Sequence, residues 1–295
     1  MLEKLTQPII EEWLKLIRGT FLVQDVWNEL GIGSSEGRQH LRVILYRLEQ
    51  KGIVASLGGG RYKKIDTEAN RIDWQSADPN NIVPLVFPFG IEEWARIYPK
   101  SIVVVAGGKN QGKTAFLYNV IKMNIEKFVI DLYNSETGPE QMKERLSYLD
   151  IPEPAPFNTY ERYDNFADII HPDHLSIIDY LDMNSEVYLV GTEIDNIFRK
   201  LKKGVAIIGL QKPPPTVTWV RGEKKLIERD LAYGGGFTAK RACLYISLSA
   251  NRCKLLYVKT PAKLRVDPAN LAWVFRFADD GVHFLDIQRS YESDG

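Results

Sequence analysis

Along the N-terminal region apolar side chains recur at helical spacing. Ile10, Trp13, Leu14 and Ile17 fall at i, i+3, i+4 and i+7, which predicts an opening helix with one buried stripe. Val26, Trp27 and Leu30 repeat the pattern over a shorter helix that Gly31 ends. Beyond a Gly-Ile-Gly turn, Ser34 and Ser35 stand where a helix cap is wanted. Leu41, Ile44, Leu45 and Leu48 then form the stripe of a third helix, which closes at Lys51-Gly52. The spacing changes next to that of two short strands, Ile53 to Ser56 and Arg61 to Ile65, joined by Gly58-Gly59-Gly60. Residues 66 to 85 are rich in Asp, Asn, Gln, Ser and Pro and have no period, so they read as a linker.

From Phe87 onward apolar strands alternate with helices. Ile102 to Ala106 is a buried-strand run, followed by a Gly-rich turn and a helix to about Ile125. Phe128 to Leu132 is a second strand and Pro139 to Leu149 a second helix; Leu175 to Asp179 and Val205 to Leu210 flank a helix at Val187 to Lys202. Such alternation predicts an α/β domain with a mostly parallel sheet covered by helices. The runs at Ala242 to Leu248, Lys254 to Val258, Leu271 to Phe277 and His283 to Ile287 are separated by short polar turns, which predicts an antiparallel meander at the end of the sheet.

A length of 295 residues favours two domains. Lysine plus arginine equals aspartate plus glutamate at 38 each, so any attraction to nucleic acid or membrane must be local. No apolar run approaches membrane-spanning length and no signal peptide is visible. The two cysteines, Cys243 and Cys253, lie in strand-like runs and read as reduced core thiols of a cytoplasmic protein. His171 and His174 read as part of a polar loop rather than as a chelating pair.

The chemistry concentrates after the first buried strand. Gly107-Gly108-Lys109-Asn110-Gln111-Gly112-Lys113-Thr114 satisfies the Walker A pattern and lies between a strand and a helix. There the backbone N–H groups wrap phosphates at a helix N-terminus, Lys113 neutralises the β- and γ-phosphates, and Thr114 ligates Mg2+. ATP and Mg2+ are the ligands this implies. Ser176-Ile177-Ile178-Asp179 has the Walker B form, an aspartate at a strand's C-terminal edge that contacts the metal through water. A strand ending in Asp says little by itself; the Walker A loop gives it meaning.

Asp179-Tyr180-Leu181 resembles the Asp-Tyr-Leu of the DnaB-type replicative helicases, within the RecA-like superfamily. Ser135-Glu136-Thr137-Gly138-Pro139-Glu140-Gln141, with Arg145 downstream, resembles that family's Ser-Leu-Glu-Met segment and the helix after it. The resemblance implies that Glu136 activates the water attacking the γ-phosphate and that Gln211, at a strand end, senses that phosphate. It also implies a loop touching single-stranded DNA around Arg229-Asp230-Leu231 and Gly234-Gly235-Gly236. Lys212, Arg221, Lys224, Lys225 and Arg229, with Trp219 interleaved, have the composition of a stacking, phosphate-tracking channel. The sequence departs from the family at Pro261, where an arginine reaching a neighbouring subunit's nucleotide is expected, which leaves Lys259, Lys263 or Arg265 as substitutes. Pro213-Pro214-Pro215 stiffens a loop that is usually poor in proline, and the family's N-terminal primase-binding helical domain is absent. The resemblance covers residues 86 to 288, with 289 to 295 as a tail.

Residues 1 to 65 resemble a winged helix-turn-helix domain. Its third helix would present Gln39, Arg42, Val43 and Tyr46 opposite the buried stripe, with Arg61, Lys63 and Lys64 beyond the wing tip. Ten basic against seven acidic residues make this region only modestly positive, and winged helices also dock proteins. The expected protein is therefore a DNA-dependent, Mg2+-requiring ATPase, single-stranded DNA in its core loops and duplex at its winged helix, assembled as a homo-oligomer with a hexamer favoured. The alternative is an ATP-gated DNA-binding regulator or recruitment factor serving a replication or recombination partner, without unwinding. A transcription factor with a decayed core is disfavoured, because Lys113, Thr114, Glu136 and Asp179 are all present.

Overall fold

The computed structural model describes residues 5–17, 19–67, 69, 71–181, 189–220, 223–279 and 281–291. The chain divides into two units, Met1–Ala77 and Asp78–Gly295.

In the first unit α1 (Gln7–Leu16) begins with proline in its first turn, where a missing N–H costs nothing, and buries Ile10, Trp13 and Leu14. A three-residue strand, β1 (Thr20–Leu22), precedes α2 (Val23–Glu29) and was not foreseen; Asp25 Oδ2 accepts the Leu22 N–H at 2.9 Å to open that helix. In α3 (Ser35–Gln50) the Ser34 hydroxyl accepts the Gly37 N–H at 3.0 Å, the expected cap. Leu41, Ile44, Leu45 and Leu48 are buried on one face while Gln39, Arg42 and Tyr46 are exposed on the other. β2 (Val54–Gly58) and β3 (Arg61–Lys64) form the glycine-tipped hairpin, and β1 extends it to a three-stranded antiparallel sheet in the order β1-β3-β2.

The second unit is built on one nine-stranded sheet. Its parallel part comprises β4 (Ser101–Gly107), β5 (Ile130–Asn134), β6 (Asn158–Glu161), β7 (Leu175–Asp179), β8 (Val205–Gln211) and β11 (Ala242–Ser249), in the order β11-β4-β8-β7-β5-β6. β12 (Arg252–Val258), β13 (Leu271–Ala278) and β14 (His283–Tyr291) continue it as an antiparallel meander beyond β11. The meander was expected, although its first member runs parallel to β4. β14 reaches Tyr291, so it takes up part of the expected tail.

β4 shows why the interior is stable. Val103 and Val105 join the core that includes Phe116, Leu117, Val120 and Ile121 of α4 (Lys113–Asn124). Ile102, Val104 and Ala106 join the core that includes Val190, Ile194 and Ile197 of the helix Leu189–Lys200. A strand alternates its side chains, so helices on both faces bury every residue. Each fully buried Val or Ile contributes about 1.5–3 kcal/mol relative to exposure.

The second unit departs from expectation in three further places. The expected strand from Phe128 begins at Ile130, because the Asn124 carbonyl accepts the N–H groups of Lys127 and Phe128 in a turn closing α4, which leaves Val129 exposed. β6 was missed, since all four of its residues are exposed and carry no apolar alternation. Between β8 and β11, where a loop was expected, β9 (Thr216–Val220) and β10 (Glu223–Ile227) pair as a separate antiparallel hairpin. Among the described residues no helix is long and apolar enough to cross a membrane.

Candidate functional site

Because the central strands are parallel, their C-terminal ends share one edge of the sheet. Gly107 pairs with Gln211, and Asn134 with Asp179. Loops leaving such an edge are where ligands bind in open α/β sheets.

The loop from Gly107 to Gly112 leads directly into α4, whose first residue, Lys113, is buried. Gly112 has φ +89°, and a Cβ there would lie 2.6 Å from Phe277 Cζ, so no side chain fits. At Gly107 a Cβ would lie 2.8 Å from Lys113 Cγ, so the glycine makes room for the lysine stem. Lys109 and Asn110 are exposed at the tip. The loop borders a cavity of about 320 Å³ lined also by Lys113, Thr114, Tyr118, Glu136, Arg145 and Phe277.

Asp179 ends β7 fully buried, and neither carboxylate oxygen has a hydrogen-bond partner of good geometry, although the Thr114 hydroxyl stands beside it. Burial pushes its pKa up to about 6, helped by Glu136 and opposed by Thr114, Lys113 and Arg145. An orphaned buried carboxylate beside a threonine hydroxyl offers the oxygen donors that Mg2+ takes in phosphate sites, where water and phosphate complete the shell, and the neighbouring lysine is a cation for the phosphate rather than for the metal. Among the described residues no cluster of three or more His, Cys, Asp or Glu could hold a metal by itself. His171 and His174 stack on each other, and His174 Nδ1 lies 2.7 Å from Asp131 Oδ2, which fits their loop reading.

Glu136 owes its place to two neighbours. Asn134 Oδ1 accepts the Thr137 N–H and hydroxyl, each at 3.2 Å, and the Glu136 N–H at 3.4 Å, fixing the turn after β5. The Ser135 N–H donates to the Asp179 carbonyl at 2.9 Å, so the same turn grips the end of β7. Arg145, on α5 (Pro139–Ser147), brings a cation to the cavity, and its Nε is buried without a partner. Tyr118 is pushed up to about 12, by burial first and by Asp179 next. Asn134, Tyr118 and Phe277 were not singled out from the sequence; only Phe277's place in an aromatic-rich strand hinted at a role.

Lys212 corrects an expectation. It is not an exposed contact: its Nζ is buried and donates to Ser247 Oγ at 3.2 Å, the Leu248 carbonyl at 3.0 Å and Ser249 Oγ at 3.0 Å, using all three protons. Burial holds its pKa below the ordinary lysine range, against the pull of Glu228 and Asp230. Trp219 is 70% exposed and Arg229 is exposed, as expected. Arg221 and the side chains of Lys224 and Lys225 lie outside the described residues. In the first unit Arg61 and Lys63 are exposed, while Lys64 is half-buried and its Nζ donates to the Ile17 carbonyl at 3.4 Å.

The candidate trans-acting residues do not line the cavity. Lys259, Lys263 and Arg265 are exposed; Lys263 Nζ lies 3.8 Å from the centre of the Trp94 ring, and Pro261 forms a β-bridge with Ala95.

No protein-family model matches the chain, and no curated protein matches it. Among solved structures it is similar to a RadB recombinase, with a TM-score of 0.43 and 15% identity over 65% of this chain and 92% of that one. It is likewise similar to a DnaB-like replicative helicase studied with primase, with a TM-score of 0.43 and 16% identity over 72% of this chain and 65% of that one. A solved ATPase domain gives a TM-score of 0.42 at 15% identity, over 65% of this chain and 87% of that one. By its own strand order the second unit is a mixed α/β domain with a large, mostly parallel sheet.

Proposed function

We propose that this chain is a Mg2+-dependent ATPase acting on DNA, working as a homo-oligomer, with a hexamer favoured. The observation that carries the reading is the convergence of Lys113, Thr114 and the unpartnered Asp179 at one glycine loop, with Glu136 on the cavity wall. In it the backbone N–H groups from Gly108 to Thr114 hold the phosphates and Lys113 neutralises the β- and γ-oxygens. Thr114 and Asp179 would hold Mg2+, which when bound spreads the charge of the transferring phosphoryl group. Glu136 accepts the proton of the attacking water, and Gln211 senses the γ-phosphate from the end of the strand beside Gly107.

In the same reading residues 1 to 65 are a winged helix-turn-helix domain, followed by a linker over residues 66 to 85 and the ATPase domain from residue 86. Gln39, Arg42 and Tyr46 of α3, with Arg61 and Lys63 at the wing, face duplex DNA. Trp219 and Arg229 face single strands.

A second reading, a nucleotide-gated regulator or recruitment factor for a replication or recombination partner, is favoured by one observation. Pro261 stands where a neighbour-reaching arginine is expected, and it is held in a β-bridge with Ala95 instead. Steady-state ATPase with and without single-stranded DNA, combined with a light-scattering mass, separates the two. Strong stimulation at a ring mass supports the ATPase motor. Weak hydrolysis with nucleotide-dependent assembly supports the regulator.

A further inference from the structure

A run of polar contacts joins the glycine loop to the foot of the β9–β10 hairpin. The Gly108 N–H donates to Gln111 Oε1 at 2.6 Å, and the Gln111 N–H donates back to the Gly108 carbonyl at 3.3 Å. This closes the loop on itself. Gln111 Nε2 then donates to Glu228 Oε1 at 2.5 Å, and Glu228 is the residue directly after β10. The same Glu228 oxygen lies 3.9 Å from the buried Lys212 Nζ. The excursion from β8 is tied at its base, because the Tyr233 N–H donates to the Gln211 carbonyl at 2.9 Å. The Gln111–Glu228 bond is therefore a bridge between that excursion and the loop.

We propose that Gln111 and Glu228 form a latch that holds the hairpin against the glycine loop and opens when a nucleoside triphosphate binds. The inference rests on reading that loop as a phosphate site. A phosphate is held by N–H groups pointing at it, and those of Gly108 and Gln111 are turned onto the loop's own oxygens. Drawing the Gln111 N–H to a phosphate oxygen breaks the inner ring and moves the side chain whose Nε2 holds Glu228. The hairpin then keeps only the longer Glu228–Lys212 ion pair at this point. Since the latch opposes the nucleotide, whatever draws the hairpin away raises nucleotide affinity, and the nucleotide frees the hairpin by the same factor. The exposed Trp219 and Leu226 travel with that hairpin.

The test uses the full chain as wild type, Glu228→Ala and Glu228→Gln, titrated with a fluorescent, non-hydrolysable ATP analogue and Mg2+. Hydrogen exchange of residues 216 to 227 is followed by mass spectrometry in the same samples. In the wild type, nucleotide should raise exchange across those residues. Glu228→Ala should show the raised exchange without nucleotide, change no further on binding, and bind the analogue about fivefold or more tightly. Glu228→Gln, which keeps the volume and a neutral acceptor, should fall between the two and serves if the alanine variant folds poorly. Nucleotide binding with no change in hairpin exchange, or with wild-type affinity in both variants, overturns the latch and leaves the nucleotide site standing. No binding by the folded wild type overturns both.

Discussion

Ser135 and Tyr180 are joined by hydrogen bonds in both directions: the Ser135 hydroxyl donates to the Tyr180 carbonyl at 2.6 Å and accepts the Tyr180 N–H at 3.2 Å. The turn carrying Glu136 is thus fastened to the strand end carrying Asp179 by one small side chain. Ser135→Ala leaves two backbone groups without that partner, at a cost of about 1–3 kcal/mol in denaturant unfolding. Turnover should fall more than nucleotide affinity, because the displaced group acts in the chemical step; a loss confined to affinity would contradict this.

Lys113→Ala and Glu136→Gln should fail in different ways. The first removes the principal cation for the phosphates and should abolish nucleotide binding. The second should retain ATP and lose hydrolysis. Near wild-type turnover in Glu136→Gln would remove that residue as the base.

Asp179 has a pKa near 6 in the fold against 3.8 in a free chain. Between those values the folded state binds more protons than the unfolded one, so the nucleotide-free protein should lose stability as pH rises from about 4 to 6. The loss is on the order of 3 kcal/mol, and Asp179→Asn should flatten it. Mg2+ needs the charged carboxylate, so its apparent affinity should weaken as pH falls below about 6, by up to tenfold per unit. Urea melts across this pH range and Mg2+ titrations at each pH measure both.

Lys212 and Trp219 should separate cleanly. Lys212→Met strips a buried hydrogen-bond cluster and should lower stability, whereas Trp219→Ala should leave stability alone and weaken single-stranded DNA binding by about 1–3 kcal/mol for each base stacked on it. Equal DNA affinity in wild type and Trp219→Ala would remove the hairpin from the nucleic-acid surface.

In the first unit, Gln39→Ala with Arg42→Ala should weaken duplex binding and make its salt dependence shallower, by about 0.9 in the log–log slope for a lost phosphate contact. Basal ATPase should not change. Unchanged duplex affinity would mark the unit as a protein-docking module.

The glycine loop, the Asp179 strand and the α3 stripe were legible in the sequence because each is a local pattern: glycine spacing, an apolar run ending in a charge, a helical period. The role of Asn134 was not, because an asparagine that closes a turn onto the next two or three residues leaves no periodicity to read, and the link from that turn to β7 is made by Ser135 across 44 to 45 residues of chain. Lys212 was misread for a related reason. Beside Arg221, Lys224, Lys225 and Arg229 it looks like one more surface cation, and only β11 folding alongside supplies the Ser247 and Ser249 hydroxyls that let it be buried. β6 gave no signal because an exposed edge strand needs no apolar alternation. The β9–β10 hairpin was hidden behind three prolines that read as a loop.

The most direct measurement is calorimetric titration of ATP into the full chain, with Mg2+ and with a chelator, for wild type and Lys113→Ala. The expected result is one site per chain in the wild type, strengthened by Mg2+ and absent in Lys113→Ala. Equal binding by the two proteins, or a folded wild type that takes no nucleotide in the presence of Mg2+, would contradict the nucleotide site on which the rest depends.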